Sequence, residues 1–311
     1  MQSIAVIGAG LIGRAWAIVF ARAGHRVRLW DPEPRALGEA QAMIAERLED
    51  LAKAGLLREA APAVAARIAP SASLGEALEG ARHVQESGPE RLDAKQALFA
   101  ELDARCGPEV VLASSTSGIP ASRFTEGLPG RARCLVAHPV NPPYLVPLVE
   151  LVGAPWTAAE AIARTRTLMA TAGMVPVIAH KETAGFVLNR LQAALVAEAF
   201  RLVRAGVMSV EDVDACVRDG LGLRWVLMGP FETCDLNAPG GFADYVARYG
   251  PLFSALAKEM GGCDFDAPTV AAVDAARRAQ LPREQIAARS AWRDRALMAL
   301  LRRRAEIAGA D

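Results

Sequence analysis

The spacing of apolar residues changes twice within the first 31 positions of the chain. A short β-branched and apolar run at 3–7 is followed by apolar positions at helical spacing from 11 to about 23. Gly24 closes that stretch, and residues 26–31 form a second strand-like run that ends in an acid. Since a period near two is typical of strands and a period near 3.6 of helices, the pattern predicts a β–α–β unit.

Strand-like and helix-like segments continue to alternate after this unit. Further strands are predicted at 83–86, 109–113, 133–137, 145–151 and 175–179. Helices are predicted between them at 33–57 and 90–102. This alternation is typical of a doubly wound, mostly parallel sheet, so we predict an α/β fold of the Rossmann type.

From about Lys181 the pattern is helical to the end of the chain. Helical spacing is found at 184–205, 210–218, parts of 231–260 and 282–307. Gly206 is predicted to end the first of these helices, because glycine accepts the left-handed conformation that closes a helix. We therefore predict a Rossmann-type domain at 1–183 and an all-α domain at 184–311.

Glycines crowd the turn between the first strand and the first helix. The turn and the first helical positions are Gly8, Ala9, Gly10, Leu11, Ile12 and Gly13. Such a turn presents the N–H groups of a helix start to a pyrophosphate, and Asp31 is placed to accept from a ribose 2′-hydroxyl. We therefore predict that these residues bind NAD. Arg35 leaves NADP as an alternative.

Composition narrows the range of partners. The 311 residues have a formal net charge of zero, and 52% of them are hydrophobic. This balance argues against nucleic acid or an anionic membrane as the main partner. The first strand leaves no room for a signal peptide, and no apolar run is long enough to span a bilayer. Five scattered cysteines without a CxxC pair favour reduced thiols, so we expect a cytoplasmic protein without a metal site.

Four histidines compete for the role of a general base. His25 and His83 precede predicted strands, whereas His138 and His180 follow them. Ligands of doubly wound sheets bind at the carboxyl ends of the strands. This leaves His138 and His180 as candidates.

His138 is the stronger candidate because of the residues that follow it. The rigid loop PVNPP leads into a second apolar strand with Glu150 near its end, twelve residues after the histidine. If residues 145–151 pair antiparallel with 133–137, the Glu150 carboxylate meets the His138 imidazole. The residues alone also allow a loop histidine that caps a carbonyl and an exposed strand acid.

Several longer motifs follow one another along the whole chain. They are GAGLIG, PE with Lys95 five residues later, ASSTS, HPVNP, GFVLNR and MGPFE. With this set, the chain resembles the 3-hydroxyacyl-CoA dehydrogenase family. The stretches GLIGRAW, AHPVNPPY, DGLGLRWVLMGPFET and AARSAWRD are most similar to its branch of λ-crystallins and L-gulonate 3-dehydrogenases.

The resemblance implies a role for each matching residue. His138 is implied as the general base, and Glu150 as the acid that orients it and stabilises the imidazolium. Ser117 is implied beside the substrate oxygen or the nicotinamide, and Asn189 near the reacting carbon. The residues implied on the NAD side are Asp31, Glu90, Lys95 and Asn141. The family also implies a homodimer formed through the helical domain.

Charge along the chain bears on the substrate. Residues 38–60 carry five acidic and three basic residues, which disfavours the phosphates of coenzyme A. Arg224, in a predicted loop at 219–229, is suited to a free carboxylate, although it also fits a solvated turn. We therefore predict NAD-dependent oxidation of the C3 hydroxyl of a small 3-hydroxy acid, with L-gulonate as the first choice.

Two alternatives stay open at this stage. One is a short-chain (S)-3-hydroxyacyl-CoA dehydrogenase, such as a 3-hydroxybutyryl-CoA dehydrogenase. The other is a crystallin-like protein that binds NAD without catalysis, which the intact His138, Glu150, Ser117 and Asn189 disfavour. A β-hydroxyacid dehydrogenase with a catalytic lysine is disfavoured because residues 185–189 contain no lysine.

Overall fold

The chain forms two compact units in the computed structural model, which describes residues 1–261 and 266–308. The first unit contains Met1–Arg190 together with the end of the chain from Arg293 onward, and the second contains Leu191–Trp292. The predicted domain boundary between residues 183 and 184 was placed where the pattern changes from alternating strands and helices to helices alone. It stays a prediction. Across the described ranges, no helix is both long and apolar enough to cross a membrane.

One eight-stranded sheet forms the centre of the first unit. Its strands are β1 (Ser3–Ile7), β2 (Arg26–Trp30), β3 (Ile68–Pro70), β4 (His83–Glu86), β5 (Val111–Ser114), β6 (Cys134–Pro139), β7 (Leu148–Gly153) and β8 (Val175–Ala179). The strand order is β3-β2-β1-β4-β5-β6-β7-β8. Neighbouring strands are parallel except for β6 and β7. The predicted doubly wound, mostly parallel α/β sheet is confirmed.

Seven helices precede residue 188 in the described chain. They are α1 (Leu11–Arg22), α2 (Pro34–Lys53), α3 (Ala61–Ala65), α4 (Leu74–Leu78), α5 (Leu92–Arg105), α6 (Ser122–Thr125) and α7 (Ala159–Thr171), with a 3₁₀ turn at Arg131–Arg133. The turn at Gly24, with φ +86°, follows α1 as predicted. Neighbouring parallel strands need long crossover connections, and helices usually provide them.

Alternation along the strands divides the core into two layers. Ile4 of β1 lies in one layer with Trp16 of α1 and Leu48 of α2. Ala5, its neighbour on β1, lies in the other layer with Phe99 of α5. Successive strand side chains point to opposite faces, so helices must cover both faces of the central strands.

Three short elements between β2 and β4 were not predicted. They are α3, β3 and α4, of five, three and five residues. Elements of this length leave too few positions for a period to be detected. The strand predicted at 145–151 is β7 and lies slightly later, at Leu148–Gly153.

From Leu188 onward, the described residues form helices and turns and no strand. Its helices are α8 (Leu188–Arg204), α9 (Val210–Ala215), α10 (Gly222–Trp225), α11 (Pro230–Leu236), α12 (Gly241–Met260), α13 (Ala267–Gln280) and α14 (Ile286–Ala308). A π-helical segment occupies Cys216–Leu221, and a 3₁₀ turn occupies Arg283–Gln285. The predicted all-α character is confirmed.

The predicted loop at 219–229 is wrong for most of its length. The π-helical segment continues into α10, which ends at Trp225. A Cβ on Gly222 would lie 2.8 Å from the Val217 carbonyl oxygen, so the wide turn favours glycine there. Glycines are weak helix formers, which is why the sequence DGLG indicated a loop.

The start of α8 also differs from its prediction. The helix begins at Leu188 and not at residue 184, because Gly185 and Phe186 have φ values of +73° and +52°. Residues in the left-handed region interrupt a right-handed helix. Gly206, with φ +69°, follows the end of α8 as predicted.

The cysteines of the described chain are free thiols. They are Cys106, Cys134, Cys216 and Cys234. Burial raises the pKa of the Cys134 thiol to about 12, so it behaves as a small apolar core residue. Cys263 lies outside the described residues.

Candidate active site

The carboxyl ends of the strands bring the predicted cofactor and catalytic residues to one edge of the sheet. The glycine turn follows β1, Asp31 follows β2, and Ser117 lies in the loop after β5. His138 lies near the end of β6. Parallel strands share one direction, so these positions gather on the same side of the sheet.

The glycine turn has the geometry that a bound pyrophosphate needs. Gly8 has φ +105°, and a Cβ on Gly13 would lie 1.7 Å from the Gly8 carbonyl oxygen, so glycine lets α1 approach β1. A Cβ on Gly10 would meet nothing within 4 Å. The first turn of α1, which starts with Leu11 and Ile12, contains no acidic residue. An open helix start of this kind suits an anion.

Asp31 is fixed beside this turn by two backbone amides. The Ala9 N–H donates to Oδ2 at 2.7 Å, and the Glu33 N–H donates to Oδ1 at 2.9 Å. Arg35, which left NADP open, is exposed and lies 3.9 Å from Glu39. A fixed carboxylate at the end of β2 fits the ribose hydroxyls of NAD and disfavours a 2′-phosphate.

His138 and Glu150 lie directly opposite each other on the antiparallel strands β6 and β7. Nδ1 of His138 is 2.8 Å from Oε2 of Glu150. Both residues are buried, with 5% and 2% of their surface exposed. The predicted strand pairing is confirmed. Because Nδ1–H donates to the carboxylate, Nε2 carries the lone pair that can accept a proton.

The second oxygen of Glu150 is bound at the start of α8. The N–H groups of Val187 and Leu188 both donate to Oε1 at 2.9 Å. Phe186, directly before them, is fully buried, and its ring centroid lies 5.5 Å from that of His138. The carboxylate is therefore held by three donors, and the imidazole that it binds lies beside an aromatic ring.

Glu90 organises the loop after β5. Its Oε1 accepts from the Thr116 hydroxyl at 2.5 Å, from the Ser117 N–H at 2.9 Å and from the Gly118 N–H at 3.1 Å. The carbonyl oxygen of Ser117 accepts from Nδ2 of Asn189 at 2.6 Å. Glu90, Ser117 and Asn189 therefore form one connected group.

The first turn of α8 links this group to the histidine pair. The Leu188 amide binds Glu150, and the side chain of the next residue, Asn189, binds the Ser117 loop. The structure thus brings together all four residues that were predicted as catalytic. Two neighbouring positions on one helix make the connection.

Lys95 is buried against an acid that the sequence did not single out. Its Nζ lies 3.1 and 3.0 Å from the two carboxylate oxygens of Glu86, and 3.8 Å from Oε2 of Glu90. Ser114 Oγ and the Gly88 N–H also donate to Glu86 at 2.5 Å. Buried charges persist when paired and hydrogen-bonded in this way. The predicted place of Lys95 on the NAD side stays a prediction. Since Lys95 lies near Glu90, the predicted effect of Lys95 on NAD would be an indirect one, through Glu90.

Two further predicted residues are exposed. Asn141 lies in the loop between β6 and β7. Arg224 lies on α10 in the second unit, next to the partly exposed Trp225. Their predicted roles, toward NAD and the substrate respectively, stay predictions.

His25, directly before β2, and His83, the first residue of β4, lie at the opposite edge of the sheet. His83 Nε2 is 3.2 Å from Oε1 of Gln85, and burial lowers the pKa of His83 to about 4. Burial also lowers the pKa of His25. With Arg82 and Arg164 they line a cavity of about 650 Å³. Both imidazoles are therefore neutral at physiological pH.

Sequence reasoning missed two residues that support the site, Phe186 and Glu86. Glu86 is an acid inside an otherwise buried strand, which is a detectable signal because such a charge needs a partner. Phe186 was predicted only as part of the helix at 184–205. Its role depends on its backbone conformation, which the spacing of residues in the sequence does not reveal.

Two family profiles cover most of the chain. Residues 3–183 match the NAD-binding domain of 3-hydroxyacyl-CoA dehydrogenases. Residues 185–278 match the C-terminal domain of the same enzymes. Together they span the sheet, the site residues and most of the helical region.

Individual relatives align over nearly the whole chain. A lambda-crystallin homolog from Bos taurus is 46% identical over 302 residues, which cover 96% of this chain and 94% of the relative. An L-carnitine dehydrogenase from Streptomyces coelicolor is 37% identical over 303 residues, which cover 97% and 94%. Among solved structures, the 5-dehydrogenase of 5-formyl-3-hydroxy-2-methylpyridine 4-carboxylic acid, an NAD⁺-dependent dismutase, aligns with a TM-score of 0.84. It is 30% identical, and the alignment covers 97% of this chain and 98% of that one.

Proposed function

Since this chain belongs to the 3-hydroxyacyl-CoA dehydrogenase family and is an NAD-dependent oxidoreductase, we propose that it oxidises the C3 hydroxyl of a small 3-hydroxy carboxylate. The first substrate that we propose is L-gulonate, which would give 3-dehydro-L-gulonate. The observation that carries the proposal is the buried contact of 2.8 Å between His138 and Glu150. An imidazole oriented by a buried acid is what proton removal from an alcohol requires.

In the proposed reaction, His138 is the general base. With Nδ1–H donated to Glu150, the neutral imidazole accepts the C3 hydroxyl proton at Nε2. The carboxylate then stabilises the imidazolium, since opposite charges attract more strongly away from water. Bound NAD⁺ supplies the acceptor for the hydride that leaves C3. Loss of the proton and the hydride together converts the alcohol to a ketone.

Ser117 and Asn189 are proposed to hold the substrate oxygen. The backbone N–H of Ser117 binds Glu90, and its carbonyl oxygen binds the Asn189 amide. Among the described residues, these bonds leave the Ser117 hydroxyl and the Asn189 side-chain oxygen available to a substrate. Both groups are held by the same loop-to-helix connection, so they would act at a fixed distance from each other.

The charge of residues 38–60, on α2 and directly after it, supports a free acid over a coenzyme A ester. Residues 38–60 contain five acidic and three basic residues. Arg47, one of the three, already lies 3.3 Å from Glu46 and 2.8 Å from Asp50. A phosphate clamp needs cations that are free to bind it.

Arg224 is proposed to bind the substrate carboxylate. A guanidinium group can hold a carboxylate through two parallel hydrogen bonds. Arg224 is exposed and follows the π-helical segment Cys216–Leu221. Single π-helical turns are frequent at functional sites, which supports this assignment.

A substrate panel tests the proposal directly. NADH production is measured with L-gulonate, 3-hydroxybutyrate, L-carnitine and 3-hydroxybutyryl-CoA under matched conditions. We expect the highest kcat/KM with L-gulonate. A higher value for the coenzyme A ester would replace the free-acid assignment. Retained NADH binding without turnover of any of the four would favour the crystallin-like alternative.

Replacement of Arg224 tests the carboxylate contact. Arg224→Met should raise KM for the acid about tenfold or more, since a hydrogen bond to a charged group is worth about 1.5–3 kcal/mol. The NADH dissociation constant should not change. Arg218→Met is the control, because Arg218 is exposed nearby and already pairs with Asp219 at 2.7 Å. Equal KM values in the two variants would discard the assignment.

We also propose that the chain forms a homodimer through its second unit, as the family resemblance implies. Large apolar side chains are exposed on that unit. They include Phe231, Leu236, Leu252 and Phe253. Exposed apolar clusters are typical of interaction surfaces. Sedimentation equilibrium tests this proposal, and a monomer at all concentrations would overturn it.

A further inference from the structure

Phe186 has a backbone conformation that bulky residues rarely adopt. Its φ is +52°, a positive value that no other non-glycine residue shows in the described part of the chain. Its side chain is fully buried. A left-handed conformation crowds the Cβ of an L-residue, so it persists where surrounding contacts hold it. Glycine would adopt the turn freely, and the presence of phenylalanine indicates a use for the ring.

The turn at Phe186 aims two free amides at one carboxylate oxygen. The N–H groups of Val187 and Leu188 lie at the start of α8, where amides have no partner within the helix. Both donate to Oε1 of Glu150 at 2.9 Å. The Val187 side chain is 48% exposed, so its contribution to the site is its backbone. The left-handed residue thus determines what the helix start binds.

The ring of Phe186 lies beside the catalytic pair on the same face of the sheet. Its centroid is 5.5 Å from that of His138, with 49° between the planes. It shares a buried cluster with Val136 and Val152. These valines lie two positions before His138 on β6 and two positions after Glu150 on β7. Side chains two apart on a strand point to the same face.

We propose that Phe186 is a positioning residue for the proton-transfer pair. Its backbone turns two amides onto Glu150, and its ring fills the space into which the His138 imidazole would otherwise rotate. The residue acts through its two neighbours and does not itself touch the reacting atoms. This inference rests on the proposed role of His138 as the base.

Two substitutions separate the effect of the Phe186 ring from the effect of the backbone conformation at this position. Phe186→Gly keeps a residue that accepts the positive φ but removes the ring. Phe186→Leu keeps most of the buried volume. We expect Phe186→Gly to lower kcat by about tenfold to a hundredfold, as for small misplacements of catalytic groups, with KM for NAD within about twofold of wild type. Phe186→Leu should restore most of the turnover.

Nitrogen-15 NMR of labelled histidine gives a readout that does not depend on turnover. The chain has four histidines, and His138→Gln assigns the relevant signals. In the wild type, His138 should show a single neutral tautomer with the proton on Nδ1. In Phe186→Gly it should show mixed tautomers, and in Phe186→Leu the single tautomer should return. Wild-type turnover with a single tautomer in Phe186→Gly would overturn the proposal.

A second measurement uses the unaltered chain and therefore does not depend on whether the glycine variant folds. Hydrogen exchange of the Val187 and Leu188 amides should be slow, because both are bonded to a buried carboxylate. Exchange at the rate of an open loop would overturn the proposal. If His138→Ala kept its turnover, the proposed function would fail. The tautomer and exchange results would still test the positioning role of Phe186, because neither measurement depends on turnover.

Discussion

Glu150 uses both of its carboxylate oxygens. Oε2 accepts from His138, and Oε1 accepts from the amides of Val187 and Leu188. A buried carboxylate with this many donors has one orientation, and it imposes one tautomer on the imidazole that it binds. At the residue scale, the proposed role of Glu150 is therefore to orient and stabilise His138 while the proton stays on the imidazole.

Replacing His138 tests the base assignment. His138→Ala should lower kcat by about 10²–10⁴, the usual contribution of a general base. NADH binding should persist, because the proposed cofactor contacts come from the glycine turn and Asp31. His180→Ala is the matched control, since His180 also follows a strand but is exposed. Turnover close to wild type in His138→Ala would refute the assignment.

His83 makes stability depend on pH. Burial lowers its folded-state pKa to about 4, whereas an unfolded histidine titrates near pH 6.5. The unfolded chain therefore binds more protons between these values, and stability is lost as pH falls through that window. From this residue alone, the free energy of unfolding should be about 2 kcal/mol lower at pH 5 than at pH 7.5.

Urea unfolding at several pH values measures this effect. His83→Gln keeps a donor for Gln85 but does not titrate, so its free energy of unfolding should vary less between pH 7.5 and 5. A smaller slope should remain, because burial also lowers the pKa of His25. His180→Gln, which replaces an exposed histidine, is the matched control for the substitution itself. An unchanged slope in His83→Gln would contradict the prediction.

At the scale of elements, the glycine turn performs two separate tasks. A Cβ on Gly13 would lie 1.7 Å from the Gly8 carbonyl oxygen, whereas a Cβ on Gly10 would meet nothing within 4 Å. Gly13 therefore serves the contact between α1 and β1. The open space at Gly10 is where a pyrophosphate would approach the backbone.

Alanine at each position separates the two tasks. Gly13→Ala should lower the free energy of unfolding by about 3 kcal/mol, the upper end of the usual cost of overpacking, because the added Cβ forces α1 and β1 apart. Gly10→Ala should lower it by about 1 kcal/mol or less, because Gly10 is the N-cap of α1 and alanine is a poorer cap, while weakening NADH binding at least about tenfold. Urea unfolding and fluorescence titration with NADH measure the two effects. Equal loss of stability in both variants would contradict this division.

Most helices and strands with regular apolar spacing were predicted from the sequence, although α7 was not, and its buried residues do recur at helical spacing. The strands around the site, including the antiparallel contact between residues 133–137 and 145–151, were predicted because apolar runs and turn residues define them. β3 was missed because three residues show no period. Residues 219–225, the end of the π-helical segment and α10, were predicted as part of a loop, and Gly220 and Gly222 weaken the helical pattern there. Asn189 was assigned through family resemblance, since its link to Ser117 spans 72 positions.

At the scale of the whole molecule, the last helix returns to the first unit. Met298 of α14 is 3% exposed and belongs to the core cluster that contains Trp16 and Tyr144. Leu297 and Leu301 pack against the same cluster. The amphipathic pattern predicted the helix but carried no information about which part of the chain it would cover.

Two alanine substitutions on α14 test this contribution. Met298→Ala should lower the free energy of unfolding by about 2–5 kcal/mol, as expected when a buried methionine is truncated. Leu300→Ala should lower it by less than about 1 kcal/mol, because Leu300 is 39% exposed. Urea unfolding followed by tryptophan fluorescence compares the two. Similar losses would show that α14 does not complete this core.

Because Met298 fills part of that core, the order of protein synthesis matters. The strands and helices of residues 1–190 leave the ribosome long before their last helical partner has been translated. A nascent chain stalled before residue 293 would expose the apolar surface that Leu297, Met298 and Leu301 cover in the finished molecule. The nucleotide-binding unit therefore closes only after α14 has left the ribosome, and until then one side of its core stays exposed.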